Sequence, residues 1–270
     1  MATHWFKYAS PASFYGLAGR LIPWFAIAAA VSTLVGLYIG LVLAPTDFQQ
    51  GDSYRIIYIH VPAAWIGMFT YLVMAGWAAA GIVFNTRLSG MMVQALAPTG
   101  ALFTFVALWT GAFWGRPTWG AYWVWDARLT STLILLFLYI GYLALRASID
   151  DPRRADRAGA VFTLVGVVNI PIIYFSVKWW NTLHQGASVK PGSSSMATVM
   201  LTGMLVMAFA AWMYTIAISL ARVRSIIIER EQHTAWVGEL LVAEGHGAGS
   251  MNTPGTSDGT PGSKGEEKAR

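Results

Sequence analysis

Two histidines and a run of tryptophans carry most of the chemistry available to this chain. His60 lies in YRIIYIHVPAAW and His184 in KWWNTLHQG. Between them runs WGRPTWGAYWVWDARLT, residues 114–130, which places Trp114, Trp119, Trp123 and Trp125 within twelve residues and follows them with Asp126 and Arg128. Neutral imidazole binds haem iron well, and two imidazoles can take its opposite axial positions. Tryptophan offers broad π surface to a flat apolar ligand. A lone histidine beside an apolar stretch is more often a hydrogen-bonded structural residue than a ligand. Two on one side of a membrane, next to a tryptophan tract, change that balance.

Whether they share a side depends on the elements that carry them. Of the 270 residues, 56% are hydrophobic and 11% charged, against about 25% charged in a soluble domain. Much of the surface must therefore face lipid. Six apolar runs, at about 21–43, 56–84, 93–113, 129–146, 160–178 and 196–221, are each near the roughly 20 residues that span a bilayer. The sequence thus predicts an all-α, polytopic integral membrane protein with six transmembrane helices. The first run is too long for the apolar core of a signal peptide and lacks an A-x-A site, so it is expected to stay attached. The second is long enough for one end to stand clear of the hydrocarbon.

Lysine and arginine orient the spans. Lys7, Arg20, Arg87, Arg146, Arg153, Arg154, Arg157, Arg222, Arg224 and Arg230 fall on one side; Arg55, Arg116, Arg128, Lys178 and Lys190 fall on the other. Ten against five predicts that both termini are cytoplasmic and that the loops at 44–55, 114–128 and 179–195 face outward. His60, His184 and the tryptophans then lie together on the outer, periplasmic face. The expected organisation is a cytoplasmic segment 1–20, a six-helix membrane domain 21–222 with a tryptophan-rich periplasmic loop at 114–128, and a cytoplasmic remainder 223–270. In that remainder 222–241 suggests a short amphipathic helix, and the Gly, Ser, Thr, Pro and charge-rich tail from Gly245 suggests disorder.

Chain composition excludes several function classes. There is no cysteine, hence no disulfide, no thiol redox chemistry, no Cys-ligated zinc or iron–sulfur centre, and no C-x-x-C-H haem attachment. Net charge is +5, but the basic residues cluster at helix ends, which is membrane topology and not nucleic-acid binding. His4, His233 and His246 sit in cytoplasmic segments without metal-like neighbours and are read as solvated surface residues.

An aromatic belt at headgroup level accounts for one or two tryptophans per helix end. It accounts poorly for four in one loop with Gly115 and Gly120, so a binding platform is the stronger reading. A helical 118–128 would put Trp119, Trp123 and Asp126 on one face; an extended one would put Trp123 and Trp125 on one side. Arg55 and Arg128 lie at the same membrane edge and suit either the haem propionates or headgroup anchoring. Asp47, Gln50 and Asp52 in the 44–55 loop read as a solvated or partner-docking surface.

The tract WGRPTWGAYWVWDARLT, with His60 before it and His184 after it, resembles the tryptophan-rich WWD signature of the haem-handling proteins of cytochrome c maturation. The segment YRIIYIHVPAAW resembles the first-histidine region of the CcmC branch, and the resemblance covers roughly residues 20–222. It implies that His60 and His184 are axial ligands of transiently bound haem b and that Trp114, Trp119, Trp123, Trp125 and Asp126 form the haem platform. Asp47, Gln50, Arg55 and Arg128 become candidates for propionate or partner contacts. It also implies a bacterial inner-membrane protein that transfers haem without catalysing a reaction. The implied partners are the periplasmic haem chaperone CcmE, the ABC transporter subunits CcmA and CcmB, the small membrane protein CcmD and the lipid bilayer. Three rival expectations stand beside it. A transporter proper would line a path with polar residues inside the spans, where Asn169 and Gln94 are the main ones. A b-type cytochrome would place histidine ligands within the spans, and a scaffold subunit would hold no haem of its own.

Overall fold

The computed structural model describes residues 8–184, 189–190, 193–194 and 196–243. The expectations for His4, Lys7, His246 and the tail from Gly245 lie outside the described residues. Helix α1, Pro11–Tyr38, starts on an Ser10 cap with proline in its first turn and continues as a π-helical turn, Ile39–Leu43. A 3₁₀ turn, Asp52–Ile56, leads into α2, Ile57–Phe84. Helices α3, Arg87–Trp119, and α4, Ala127–Ala147, follow. Then come α5, Pro152–Gly166, and α6, Asn169–Trp179. Residues 189–190 and 193–194 pair their main chains as two-residue antiparallel strands, β1 and β2. Helix α7 is Thr198–Glu231 and α8 is Ala235–Ala243. The described residues divide into two units after Arg230.

Among the described residues, six helical segments are long and apolar enough to cross a membrane: Pro11–Leu43, Asp52–Phe84, Arg87–Trp119, Ala127–Ala147, Pro152–Trp179 and Thr198–Glu231. The chain is a multi-pass, all-helical membrane protein, as its sequence predicts. Each helix extends past its apolar run. The third has 33 residues, roughly 50 Å at 1.5 Å per residue, against a hydrocarbon core of about 30 Å. Side chains such as Trp24, Leu34, Val83 and Val165 are about 70% exposed and form a lipid-facing surface. An even number of crossings puts the start of α1 and the end of α7 on one face.

The fifth span is two helices. Pro171 has no N–H to give the Val167 carbonyl, so the ladder shortens there and Ile170 N–H bonds that carbonyl instead, at 3.0 Å. Asn169, beside the break, donates Nδ2–H to the Ser131 carbonyl at 2.9 Å, tying α6 to α4.

Helices α2 to α6 share one core built from Tyr71, Met74, Leu96, Leu135, Tyr139, Tyr142 and Ile173. Between membrane helices the packing comes from close backbone approach, with small residues opposite large ones. Tyr139 lies where a Cβ on Gly100 would come within 2.2 Å of its ring, and the Tyr71 hydroxyl lies where a Cβ on Gly166 would come equally close to it. The Tyr139 hydroxyl donates to the Gly67 carbonyl at 2.8 Å. At the other end of the bundle Asp156 accepts from Arg146 at 2.7 Å and from Arg230 at 2.7 Å, and Arg230 also donates to Gln94 at 2.6 Å. Gln94 and Asn169, the polar residues noted within the spans, are thus structural ties between helices.

Candidate functional site

His60 ends the first turn of α2. Pro62 is the sixth residue of the helix, which starts where an anchored 3₁₀ turn hands over to it. Arg55 pairs with Asp52 at 2.9 Å and donates to the carbonyls of Gly40 at 2.5 Å and Ala44 at 3.1 Å. Those carbonyls belong to the π-helical turn and its cap, where the regular i−4 ladder does not serve every group. Arg55 therefore joins the end of the first span to the start of the second.

Ahead of that turn the 44–52 loop is organised by Asp47. Its Oδ1 accepts from the backbone N–H of Gln49 at 2.9 Å and of Gln50 at 2.8 Å. This presents the Gln50 amide oxygen to Trp114, whose Nε1–H donates to it at 2.7 Å. Trp114 meets His60 edge to face, with ring centres 5.6 Å apart. Asp47 and Gln50 thus act on the site through Trp114.

The tryptophan tract is neither one helix nor one strand. Helix α3 runs to Trp119 and stops at Gly120, whose φ of +79° suits glycine. The Arg116 side chain donates to the Gly120 carbonyl, and Gly120 N–H closes on Arg116 O at 3.0 Å. Residues 121–126 are non-helical, and Asp126 caps α4 by accepting from Leu129 N–H at 2.8 Å. A helical platform through 118–128 is therefore excluded by a stop signal and a start signal six residues apart. Trp123 and Trp125, in the non-helical part, meet edge to face at 5.4 Å. Trp125 is 78% exposed and faces outward.

His184 follows α6. Its backbone N–H donates to Thr182 Oγ1 at 2.9 Å, a local turn that fixes its entry. Trp119 lies against its ring, 5.1 Å between centres. The two histidines, far apart in sequence, come to 6.4 Å between ring centres with planes inclined at 38°. Two imidazoles opposed across one metal, each bonded at about 2.0–2.1 Å, hold their ring centres about 6 Å apart. Both histidines line a cavity of about 50 Å³ with Trp119, Trp123, Arg128 and Gly111.

Electrostatics leave the site short of partners for its polar atoms. Among the described residues, His184 Nδ1, Trp123 Nε1 and Asp126 Oδ2 are buried and lack hydrogen-bond partners, a state that native proteins rarely tolerate without a ligand or water. Burial, reinforced by the positive charge of Arg128 and opposed by Asp126, holds His184 well below the ordinary imidazole value, down to about 4. It is neutral at cellular pH, and a neutral ring keeps a lone pair for a metal. Arg128 donates one N–H to the Ile173 carbonyl at 3.1 Å, and among the described residues it forms no ion pair. No group of three or more His, Asp or Glu among the described residues could cage a bare ion. A porphyrin supplies four equatorial nitrogens itself and would ask only two further ligands of the protein.

The structure brings His60, His184, Trp114, Trp119, Trp123, Asp126 and Arg128 to one locality, and places Trp125 at its outer rim. Asp47, Gln50 and Arg55 lie behind it as supports. Two residues of the site escape sequence reasoning, Thr110 and Gly111. Thr110 Oγ1 lies 3.1 Å from His60 Nδ1, and a Cβ on Gly111 would lie 2.8 Å from His60 Cε1. The only local signal was a polar residue followed by glycine inside an otherwise apolar span.

Comparison with known proteins joins this geometry to a family. The sequence profile for heme exporter protein C (CcmC) matches residues 4–238. Heme exporter protein C of Escherichia coli K12 is 47% identical over 242 residues, which cover 88% of this chain and 96% of the relative. The protein of the same name from Bradyrhizobium diazoefficiens is 49% identical over 223 residues, covering 82% and 84%. A putative cytochrome c biosynthesis ccmC-like mitochondrial protein of Marchantia polymorpha is 46% identical over 169 residues, covering 63% and 72%. Two histidines facing one cavity beneath a capped tryptophan tract, in a six-span membrane protein with these relatives, place the chain in the heme exporter protein C (CcmC) family.

Proposed function

We propose that this protein binds haem b transiently at the periplasmic face of the bacterial inner membrane and delivers it to the haem chaperone CcmE for c-type cytochrome biogenesis. The observation that carries this reading is the meeting of His60 and His184 at 6.4 Å beside Trp119 and Trp123. In it, His60 and His184 bind the iron axially. Trp114, Trp119, Trp123 and Trp125, with Asp126, form the platform for the macrocycle, and Arg128 pairs with a propionate by charge-assisted hydrogen bonds. The cavity, about 50 Å³, is far smaller than the roughly 300–1,000 Å³ of sites that enclose a ligand. Haem is therefore held across its mouth with an edge exposed, which suits lateral transfer to a large partner. CcmA, CcmB and CcmD complete the assembly in this reading.

A path through the bilayer has less support. Gln94 and Asn169 are engaged in helix–helix hydrogen bonds, so the polar residues that would line a channel are otherwise occupied. Presentation at the surface is the favoured mode.

The test is the absorption spectrum of the wild type purified in mild detergent with haem supplied and CcmE co-expressed, beside His60→Ala, His184→Ala and the double variant. A low-spin bis-histidine spectrum in the wild type, lost in the double variant together with haem loading of CcmE, is the expected outcome. Full haem content and full chaperone loading in both single variants would overturn the ligand assignment. No haem in any of them would make the chain a scaffold.

A further inference from the structure

We propose that Thr110 is a positioning residue for His60: it holds the imidazole in the Nδ1–H tautomer, so that Nε2 carries the lone pair for the iron. This rests on the reading of His60 as an axial ligand, and goes beyond it by naming the group that sets which nitrogen binds.

A hydroxyl has one proton. Thr110 Oγ1 lies 2.6 Å from the Val106 carbonyl oxygen, with Ala107 O at 3.3 Å. Two oxygens at 2.6 Å without a proton between them would repel, so the hydroxyl proton points at Val106 O. This is the i−4 back-bond that threonine forms within a helix. Toward His60 the Thr110 oxygen then has only lone pairs to offer. The 3.1 Å contact to Nδ1 must therefore be Nδ1–H donating to Oγ1, and in the neutral ring the other nitrogen, Nε2, is unprotonated.

The ring's orientation is held as well as its proton. Gly111, the next residue of α3, presents bare backbone to Cε1, where a Cβ would stand at 2.8 Å. Trp114, one turn further on, meets the ring edge to face at 5.6 Å and is itself held by Gln50. One face of α3 thus supplies an acceptor, a gap and a wall for a single imidazole. Groups of this kind behind a metal-binding histidine fix its tautomer and orientation, and removing one typically costs about 10- to 100-fold in affinity for the metal.

His184 differs. Among the described residues its Nδ1 is buried with no partner, so no described group sets its tautomer from that nitrogen. The two ligands are unequal by construction: His60 is held in advance, and His184 is free to choose its tautomer when haem arrives.

The experiment compares haem titrations of the purified full-length wild type, Thr110→Val, Thr110→Ser, Gly111→Ala and His60→Ala, reading both affinity and the low-spin fraction in the visible spectrum. Circular dichroism and gel filtration report on folding. Thr110→Val keeps the shape and removes the acceptor; affinity should fall about 10- to 100-fold with a shift from low spin toward high spin. Thr110→Ser keeps the hydroxyl and should restore both readouts. Gly111→Ala keeps the hydroxyl, displaces the ring, and should also raise the high-spin fraction. Should Thr110→Val not fold, Thr110→Ala against Thr110→Ser decides by the same two readouts. Wild-type affinity and spectrum in Thr110→Val, with haem lost in His60→Ala, would overturn this inference and leave the ligand reading standing. Wild-type behaviour in His60→Ala would overturn both.

Discussion

His184 is a titratable group placed where its charged form is unwelcome, because burial and the Arg128 charge lower its pKa to about 4. The unfolded chain binds a proton there near 6.5. Between pH 6.5 and 4 the unfolded state is therefore protonated at this residue and the folded state is not. The stability tied to His184 is complete above pH 6.5 and is lost as pH falls through that window. The thermal midpoint of the haem-free protein in detergent should thus drop from pH 7 to pH 4.5, and His184→Gln should drop by less. An equal drop in both would place the acid sensitivity elsewhere. The same depression keeps the ring neutral throughout the physiological range, the state that the proposed ligand role requires. Trp114 makes the complementary point about supporting residues. Its indole reaches Gln50 on one side and His60 on the other, so the loop that carries Gln50 bears on where the histidine stands.

Helix ends shape the site more than helix bodies do. The tract between α3 and α4 leaves the helical path because Gly120 ends one helix and Asp126 begins the next. Asp126 has two carboxylate oxygens with different situations: Oδ1 caps Leu129 N–H, and Oδ2 is buried without a partner. Asparagine preserves the cap and removes the charge, whereas alanine removes both. Asp126→Ala should cost about 1 kcal/mol through loss of the N-cap, read as a lower thermal midpoint. Asp126→Asn should hold the midpoint near wild type. A midpoint equally lowered in Asp126→Asn would mean that the carboxylate charge, and not the cap, stabilises the tract. The broken fifth span follows the same logic. Pro171 interrupts the ladder and Asn169 satisfies a carbonyl of α4 across the gap, so α6 meets α4 at the depth where Ile173 receives Arg128.

At the scale of the whole molecule the site stands on one end of the bundle and the Arg146–Asp156–Arg230 cluster on the other. The excess of basic residues on the cluster's side predicts that this end faces the cytoplasm. Absence of cysteine makes this testable without background. Phe48 is 91% exposed beside the site, and Ser148 is exposed in the α4–α5 connection. In whole cells with a permeable outer membrane, Phe48→Cys should react with a membrane-impermeant maleimide, and Ser148→Cys should react only after lysis. The reverse pattern would invert the topology and put the histidines in the cytoplasm.

Six spans, the residues at one membrane edge, and the resemblance to the tryptophan-rich haem-handling proteins were all legible in the sequence. They rest on local facts: apolar runs long enough for a bilayer, basic residues at their ends, and a motif contiguous in the chain. His60 and His184 were readable as a pair because topology alone assigns them to one side. What only the tertiary structure decided is the order of contacts on that side. Arg55 and Arg128 looked equivalent as basic residues at one edge, yet Arg55 binds the carbonyls of a π-helical turn while Arg128 lines the cavity. That turn is an irregularity of the backbone, and no periodicity announces it. The tract 118–128 was open between helix and strand because each local preference is weak; two opposed caps, engaged by specific side chains, settled it. Thr110 and Gly111 stayed hidden for the plainest reason. A threonine and a glycine in an apolar helix read as packing until another helix brings a histidine against them, and that contact depends on how α2 lies on α3.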